Sequence, residues 1–257
     1  MHPTALITWA SSGIGLEFAR IFAREWYDLV LVARNMPKLE TLAGELTGVK
    51  VTLIEQDLSH VGSAQVVYDT LIAKNIDIEI LVNNAWFGDY GYFHMSDLSR
   101  QTEMIDLNIR TLTELTYLFG KKMIERKSGK ILNVASTAAF QPGPLMSVYF
   151  ATKHYVLAFS EALSEEWIGL GVTVTTLCPW PTESGFWKAA SAEASGISSR
   201  HLPTSHDVAE YGYRSLMTGK RVAIHGWRNR FLVFIVRFMP KSLIVKIVRR
   251  LQEKRTL

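Results

Sequence analysis

"KILNVAST", Lys130 to Thr137, and "YFATK", Tyr149 to Lys153, set the reading of the whole chain. The first is an apolar, β-branched run ending in polar residues, the pattern of a buried strand that delivers a serine at its end. The second begins thirteen residues after Ser136, where apolar residues recur at helical spacing: Leu145, Val148, Val156, Leu157, Phe159 and Leu163. That period puts Tyr149 and Lys153 on one helix face. A free phenol ionises at about pH 10. An ammonium one turn away favours the phenolate and brings the tyrosine towards the range of a general acid–base. Ser136 then stands where it can hydrogen-bond the substrate oxygen that gains or loses the proton. Alone, Tyr-x-x-x-Lys also fits an ordinary helix surface, so the rest of the chain decides.

Working outward, apolar runs alternate with helix-like segments. The strands are "TALIT", "DLVLVAR", "VKVTLIEQ", "IEILVNN", "KILNVAS", "VTVTTLCP" and "RVAIHG". Helical periodicity fills the intervals Ile14–Glu25, Pro37–Leu46, Ser63–Lys74, Gln101–Lys127, Leu145–Ile168 and His206–Met217. Continuous apolar strands alternating with helices predict an α/β fold, a parallel sheet of about seven strands covered on both faces. In such sheets ligands bind at the carboxyl ends of the strands. The polar and glycine signals fall there.

The first strand runs into "TWASSGIG", where Ser11, Ser12, Gly13, Ile14 and Gly15 open a helix. Small residues at such a turn let backbone N–H groups and the positive helix end meet a phosphate. The second strand ends in Arg34. A site selecting NAD(H) favours an acidic residue there, whereas arginine suits a 2′-phosphate, so NADP(H) is expected ahead of NAD(H). Arg34 as a solvated surface charge is the alternative. Asp57-Leu58 follows the third strand, and Asp57 reads either as an acceptor for an adenine amino group or as a helix cap. Asn83 to Ala85 follows the fourth. Asn108 lies inside a long helical pattern, where asparagine is a poor helix former. It reads either as a ligand of water or backbone near Lys153 or as a satisfied structural amide.

These residues occur in one order and spacing: the glycine-bearing first turn, Asp57, "NNA", Asn108, Ser136, Tyr149-x-x-x-Lys153 and Pro179-x-Pro-Thr182. In this the chain resembles the short-chain dehydrogenase/reductase family over essentially its whole length. The resemblance implies a Rossmann-type doubly wound sheet and a nicotinamide cofactor. It implies Tyr149 as general acid–base, with Lys153 lowering its pKa and holding the nicotinamide ribose. Ser136 would position the substrate oxygen, Asn108 would support a relay water, and Thr182 would contact the nicotinamide end. Ser11, Ser12, Gly13, Ile14, Gly15, Arg34, Asp57, Leu58, Asn83, Ala85 and Pro179 complete the expected cofactor site.

The chain departs from the family pattern in one repeated way. Trp9, Trp26, Trp86 and Trp180, four of its seven tryptophans, stand where that pattern has glycine. Drift explains this poorly, and the replacements read as a change imposed on a glycine-bearing sequence. Trp26 occupies a predicted helix C′ position, where a bulky left-handed residue costs about 1–2 kcal/mol. Trp9, Trp86 and Trp180 line the expected cofactor cleft, and an indole carries roughly 150–250 Å² of surface. The expectation is an intact catalytic set behind an obstructed cofactor cleft, with activity lost or strongly reduced. An active NADP(H)-dependent oxidoreductase and a non-catalytic binding or membrane-surface protein are the alternatives.

Composition bounds the remainder. With 257 residues, 48% hydrophobic and 20% charged, the chain holds a sizeable core, and no Pro/Gly/Ser-rich linker divides it. The net charge of +4 is uneven: from Arg228 onward there are nine Lys/Arg and one Glu. The body is therefore mildly acidic, and no nucleic-acid partner is expected. We divide the chain into a dinucleotide-binding and catalytic domain, 1–227, and a basic amphipathic extension, 228–257. In that extension Leu243, Ile244, Ile247, Val248 and Leu251 form one apolar face and Lys246, Arg249 and Arg250 a basic one. It reads either as a peripheral membrane contact or as packing against the domain or another subunit. A single cysteine, Cys178, and a first strand that begins almost at once suggest a cytoplasmic, reducing location. Phe140, Met146, Phe186 and Trp187 suggest an apolar pocket for a small hydrophobic alcohol or ketone, with 183–203 as its lid. The alternative is that these aromatics pack between lid and core. The histidines lack metal-ligand spacing, so no metal is expected. A homo-oligomer is expected from the resemblance.

Overall fold

A computed structural model describes residues 2–180, 182 and 202–253. Seven strands form one sheet in the order β3-β2-β1-β4-β5-β6-β7. They are β1 Thr4–Thr8, β2 Asp28–Ala33, β3 Val51–Glu55, β4 Ile80–Asn83, β5 Gly129–Val134, β6 Val172–Cys178 and β7 Val222–Ile224. Every neighbouring pair is parallel. Helices α1 Gly13–Arg24, α2 Met36–Glu45, α3 Ser63–Ala73, α4 Leu98–Ile105, α5 Leu112–Glu125, α6 Ser147–Glu166 and α7 Ser205–Met217 connect them. Alternation along β1 and β2 shows why both faces are covered. Ala5, Ile7, Leu29 and Leu31 join Phe18 and Phe22 of α1 in one core, while Leu6, Val30 and Val32 join Leu115 and Phe119 of α5 in the other. The Rossmann-type arrangement agrees with the expectation from the sequence, and the reversal of strand order lies between β1 and β4.

The structure corrects one reading. The single helix expected over Gln101–Lys127 is α4, a π-helical segment Asp106–Thr111 and α5. The tail is two helices, α8 Trp227–Val236 and α9 Lys241–Gln252. Only part of its apolar surface turns inward: Val233 and Ile244 are buried, and Val248 packs beside Met146, Tyr149 and Phe150.

Trp26 adopts the left-handed backbone its position demands, with φ 64°. Its N–H donates to the Ala23 carbonyl, and Tyr27 N–H to Phe22, both at 3.0 Å. Phe22 and Tyr27 also pack edge to face, 5.2 Å between centroids. This is a Schellman motif, which glycine ends without steric cost.

Candidate active site

The first turn is pinned to the end of β4. Thr8 Oγ1 accepts from the N–H groups of Asn84 and Ala85, each at 2.9 Å. Asn84 Nδ2 donates to the Thr8 carbonyl at 3.0 Å. Trp9 sits at φ 55°, and its indole N–H donates to Ser12 Oγ at 3.2 Å. Gly15 is required here for packing: a Cβ would collide with the Trp9 carbonyl oxygen and Asn84 Nδ2.

Beyond this turn lies a cavity of about 420 Å³, whose walls include Trp9, Ser11, Ser12, Arg34, Asp57, Leu58 and Ala85. The Arg34 guanidinium lies 5.4 Å from the Trp9 ring centre and 3.4 Å from Asp57 Oδ2. Burial works against the Asp57 charge, but hydrogen bonds from the Ser59 N–H and hydroxyl, with Arg34 nearby, hold the carboxyl below its ordinary range. Asp57 thus receives bonds within its own loop. Asn35 and Lys38, unforeseen from the sequence, also line this cavity. Their signal was an N-cap asparagine with a lysine three residues on, directly after Arg34.

The catalytic candidates converge on α6 and the end of β5. Lys153 Nζ donates to the Val134 carbonyl at 2.8 Å. Ser136 Oγ accepts from the Ala138 N–H at 3.1 Å, capping a short turn over Thr137–Phe140. Tyr149 and Lys153 do share a face, and the ammonium lies 5.8 Å from the phenol ring centre. Trp86 covers both. Its ring centre is 4.3 Å from Lys153 Nζ and 5.8 Å from the Tyr149 ring.

Burial runs against the expected electrostatics. Burial pushes the Tyr149 phenol far above its ordinary value, with a Ser136 hydrogen bond opposing it. Burial likewise pushes the Lys153 ammonium well down, with only Cys178 opposing it. The sequence reading weighed a charge pair and missed its desolvation.

Asn108 is a fully engaged amide within the π-helical segment. Its Oδ1 accepts from the Phe87 N–H at 3.1 Å, and its Nδ2 donates to the Phe87 carbonyl and to Thr152 Oγ1, both at 3.0 Å. Thr152 donates onward to the Tyr149 carbonyl at 2.8 Å. Asn108 therefore ties the loop carrying Trp86 to the helix carrying Tyr149.

Asn83 turns away from the cavity, donating to Thr116 Oγ1 at 3.0 Å and Asn133 Oδ1 at 2.9 Å. Gly13 and Ile14 lie at the start of α1, and Pro179 accepts from the Thr137 N–H at 2.9 Å. Thr182 is buried and Trp180 partly buried. Phe186 and Trp187, with most of the expected lid, lie outside the described residues.

A family model described as short chain dehydrogenase matches residues 3–195. The chain belongs to the short-chain dehydrogenase family. It is 33% identical over 186 residues to a very-long-chain 3-oxoacyl-CoA reductase of Anas platyrhynchos, covering 68% of this chain and 58% of the relative. It is 34% identical over 187 residues to the 17-beta-hydroxysteroid dehydrogenase type 3 of Mus musculus, covering 70% and 60%. The chain thus spans about three fifths of the length of these curated relatives. Among solved structures, a short-chain dehydrogenase from Sphingobium yanoikuyae in complex with NADPH superposes with a TM-score of 0.82 at 30% identity, covering 92% and 93% of the two chains. A bulky-bulky ketone specific alcohol dehydrogenase from Comamonas testosteroni gives 0.78 at 28%, covering 92% of each. This short-chain dehydrogenase therefore has an oxidoreductase scaffold.

Proposed function

We propose that this chain is an NADP(H)-type oxidoreductase scaffold for a small hydrophobic alcohol or ketone, impaired because Trp9, Trp86 and Trp180 obstruct the cofactor cleft. The observation that carries this is the Trp86 indole lying 4.3 Å from Lys153 Nζ and against Tyr149. A reacting ring must approach that same tyrosine, where the indole already packs. At the other end the donor set does fit a nucleotide: Arg34, with Ser11 and Ser12 beside it, faces the cavity. Polar donors thus remain at the nucleotide end, although Trp9 forms part of the wall there, and Trp86 stands at the nicotinamide end.

Magnitudes favour exclusion over assistance. Stacking of a cofactor on indole offers about 0.5–1.5 kcal/mol. A misplacement of about 1 Å at the reacting atoms costs roughly 100-fold in rate, or about 2.7 kcal/mol. The names of relatives and structural neighbours, which specify very-long-chain 3-oxoacyl-CoA, 17-beta-hydroxysteroid and bulky-bulky ketone, support the hydrophobic character of the substrate.

Turnover against a panel of apolar ketones with NADPH tests the proposal. The parent chain is expected to give little or none. Trp9→Gly/Trp86→Gly/Trp180→Gly is expected to gain at least about 100-fold, and adding Tyr149→Phe to abolish that gain. Full turnover by the parent, lost on Tyr149→Phe, establishes the active-enzyme alternative instead.

A further inference from the structure

The two tail helices hold a surface that the candidate active site does not use. On α8 and the turn after it, Trp227, Phe231, Phe234 and Phe238 follow one another at spacings of four, three and four, so they share a face. They are 73%, 58%, 57% and 74% exposed. The helix is anchored: Val233 is buried on another side, and Arg230, itself exposed, donates to the Ile224 carbonyl at 3.0 Å and the Tyr211 hydroxyl at 2.7 Å. Isolated exposed apolar residues are ordinary, whereas a continuous stripe of large aromatics marks a contact surface.

On α9 the same division recurs. Ile244 and Val248 point inward, while Leu243, Ile247 and Leu251 are exposed. The Tyr90 hydroxyl fixes the end of this helix by donating to the Gln252 carbonyl at 2.6 Å. Around these apolar residues stand Arg228, Arg237, Lys241, Lys246, Arg249 and Arg250, of which only Arg249 is ion-paired among the described residues, to Glu253. Arg228 also lies over the Trp227 ring, 5.5 Å from its centre.

We infer that α8 and α9 lie flat on an anionic lipid surface, their exposed aromatic and aliphatic stripe entering the headgroup boundary while the basic residues meet lipid phosphates. Charge decides the occupant. A second copy in a two-fold contact would set this basic segment against itself, whereas an anionic bilayer complements it. Large aromatic rings beside arginine suit an interface that is apolar on one side and wet on the other. Spanning is a different matter: among the described residues no helix is long and apolar enough to cross a membrane. The inference is independent of whether the cofactor cleft is open.

Co-sedimentation of the full chain with phosphatidylcholine vesicles, with and without about 30% phosphatidylserine, tests it. The bound fraction is expected to rise at least about 10-fold with the anionic lipid and to fall at about 0.5 M salt. Phe231→Ser/Phe234→Ser/Phe238→Ser is expected to lose that binding about 10-fold. Equal binding by the triple variant overturns the inference, as does indifference of the parent to lipid charge. So does a dimer in gel filtration that the triple variant splits while neither protein binds vesicles. Should the variant not fold, a second probe is available because Cys178 is fully buried. Trp227→Cys labelled with an environment-sensitive dye is expected to shift to the blue on anionic vesicles, and no shift overturns the inference.

Discussion

Lys153 is a buried ammonium in the site. Its pKa is lowered by burial, so the unfolded chain binds more protons than the folded one between the depressed folded value and about 10.4. Its contribution is therefore lost as pH falls through the folded value and regained as pH rises. Tyr149 has the opposite sign, because its raised folded pKa costs stability only above about pH 10. We expect the thermal midpoint of the parent to rise between neutral pH and about pH 9 relative to that of Lys153→Met, and the difference to flatten above about pH 10. Thermal melts of both proteins across that range check it, and parallel curves contradict it. Trp26 gives a second test at this scale. Its left-handed backbone costs about 1–2 kcal/mol, and its ring lies exposed over Gly48. Trp26→Gly is expected to raise the thermal midpoint by about 2–4 °C for each kcal/mol recovered.

At the scale of elements, the π-helical segment between α4 and α5 places Asn108. The extra residue in its turn points the amide at the Phe87 backbone, which holds the Trp86 loop against α6. Asn108→Ala leaves the Phe87 N–H and carbonyl without these bonds in a partly buried setting and is expected to cost about 1–3 kcal/mol. Chemical denaturation measures that loss. The same change frees Trp86 to move, so quenching of tryptophan fluorescence by an added solute is expected to increase.

For the whole molecule, the sheet was legible because parallel strands buried on both faces read as unbroken apolar runs, as in "DLVLVAR". The placement of Ser136 after a strand and of Tyr149 and Lys153 on one helix was legible because strand ends and helical period are local properties. The π-helical segment was not, since its apolar positions fit an ordinary helix equally well. Nor was the inward turn of Asn83, which depends on partners 33 and 50 residues away. The position of the Trp86 ring over Lys153 was not legible, because it follows from contacts between the loop after β4 and α6 that no local pattern encodes. The tail was half legible: its amphipathic period is local, but which apolar residues dock and which remain exposed is decided by the surface that receives them.

On the function proposed above, three indoles deny a dinucleotide its place beside the proton-transfer residues. Equilibrium titration with NADPH, read by thermal shift or tryptophan quenching, tests it most directly. No saturable binding to the parent is expected in the micromolar range. An affinity at least about 100-fold higher, close to 3 kcal/mol, is expected for Trp9→Gly/Trp86→Gly/Trp180→Gly. Micromolar binding by the parent, unchanged in the triple variant, would contradict it.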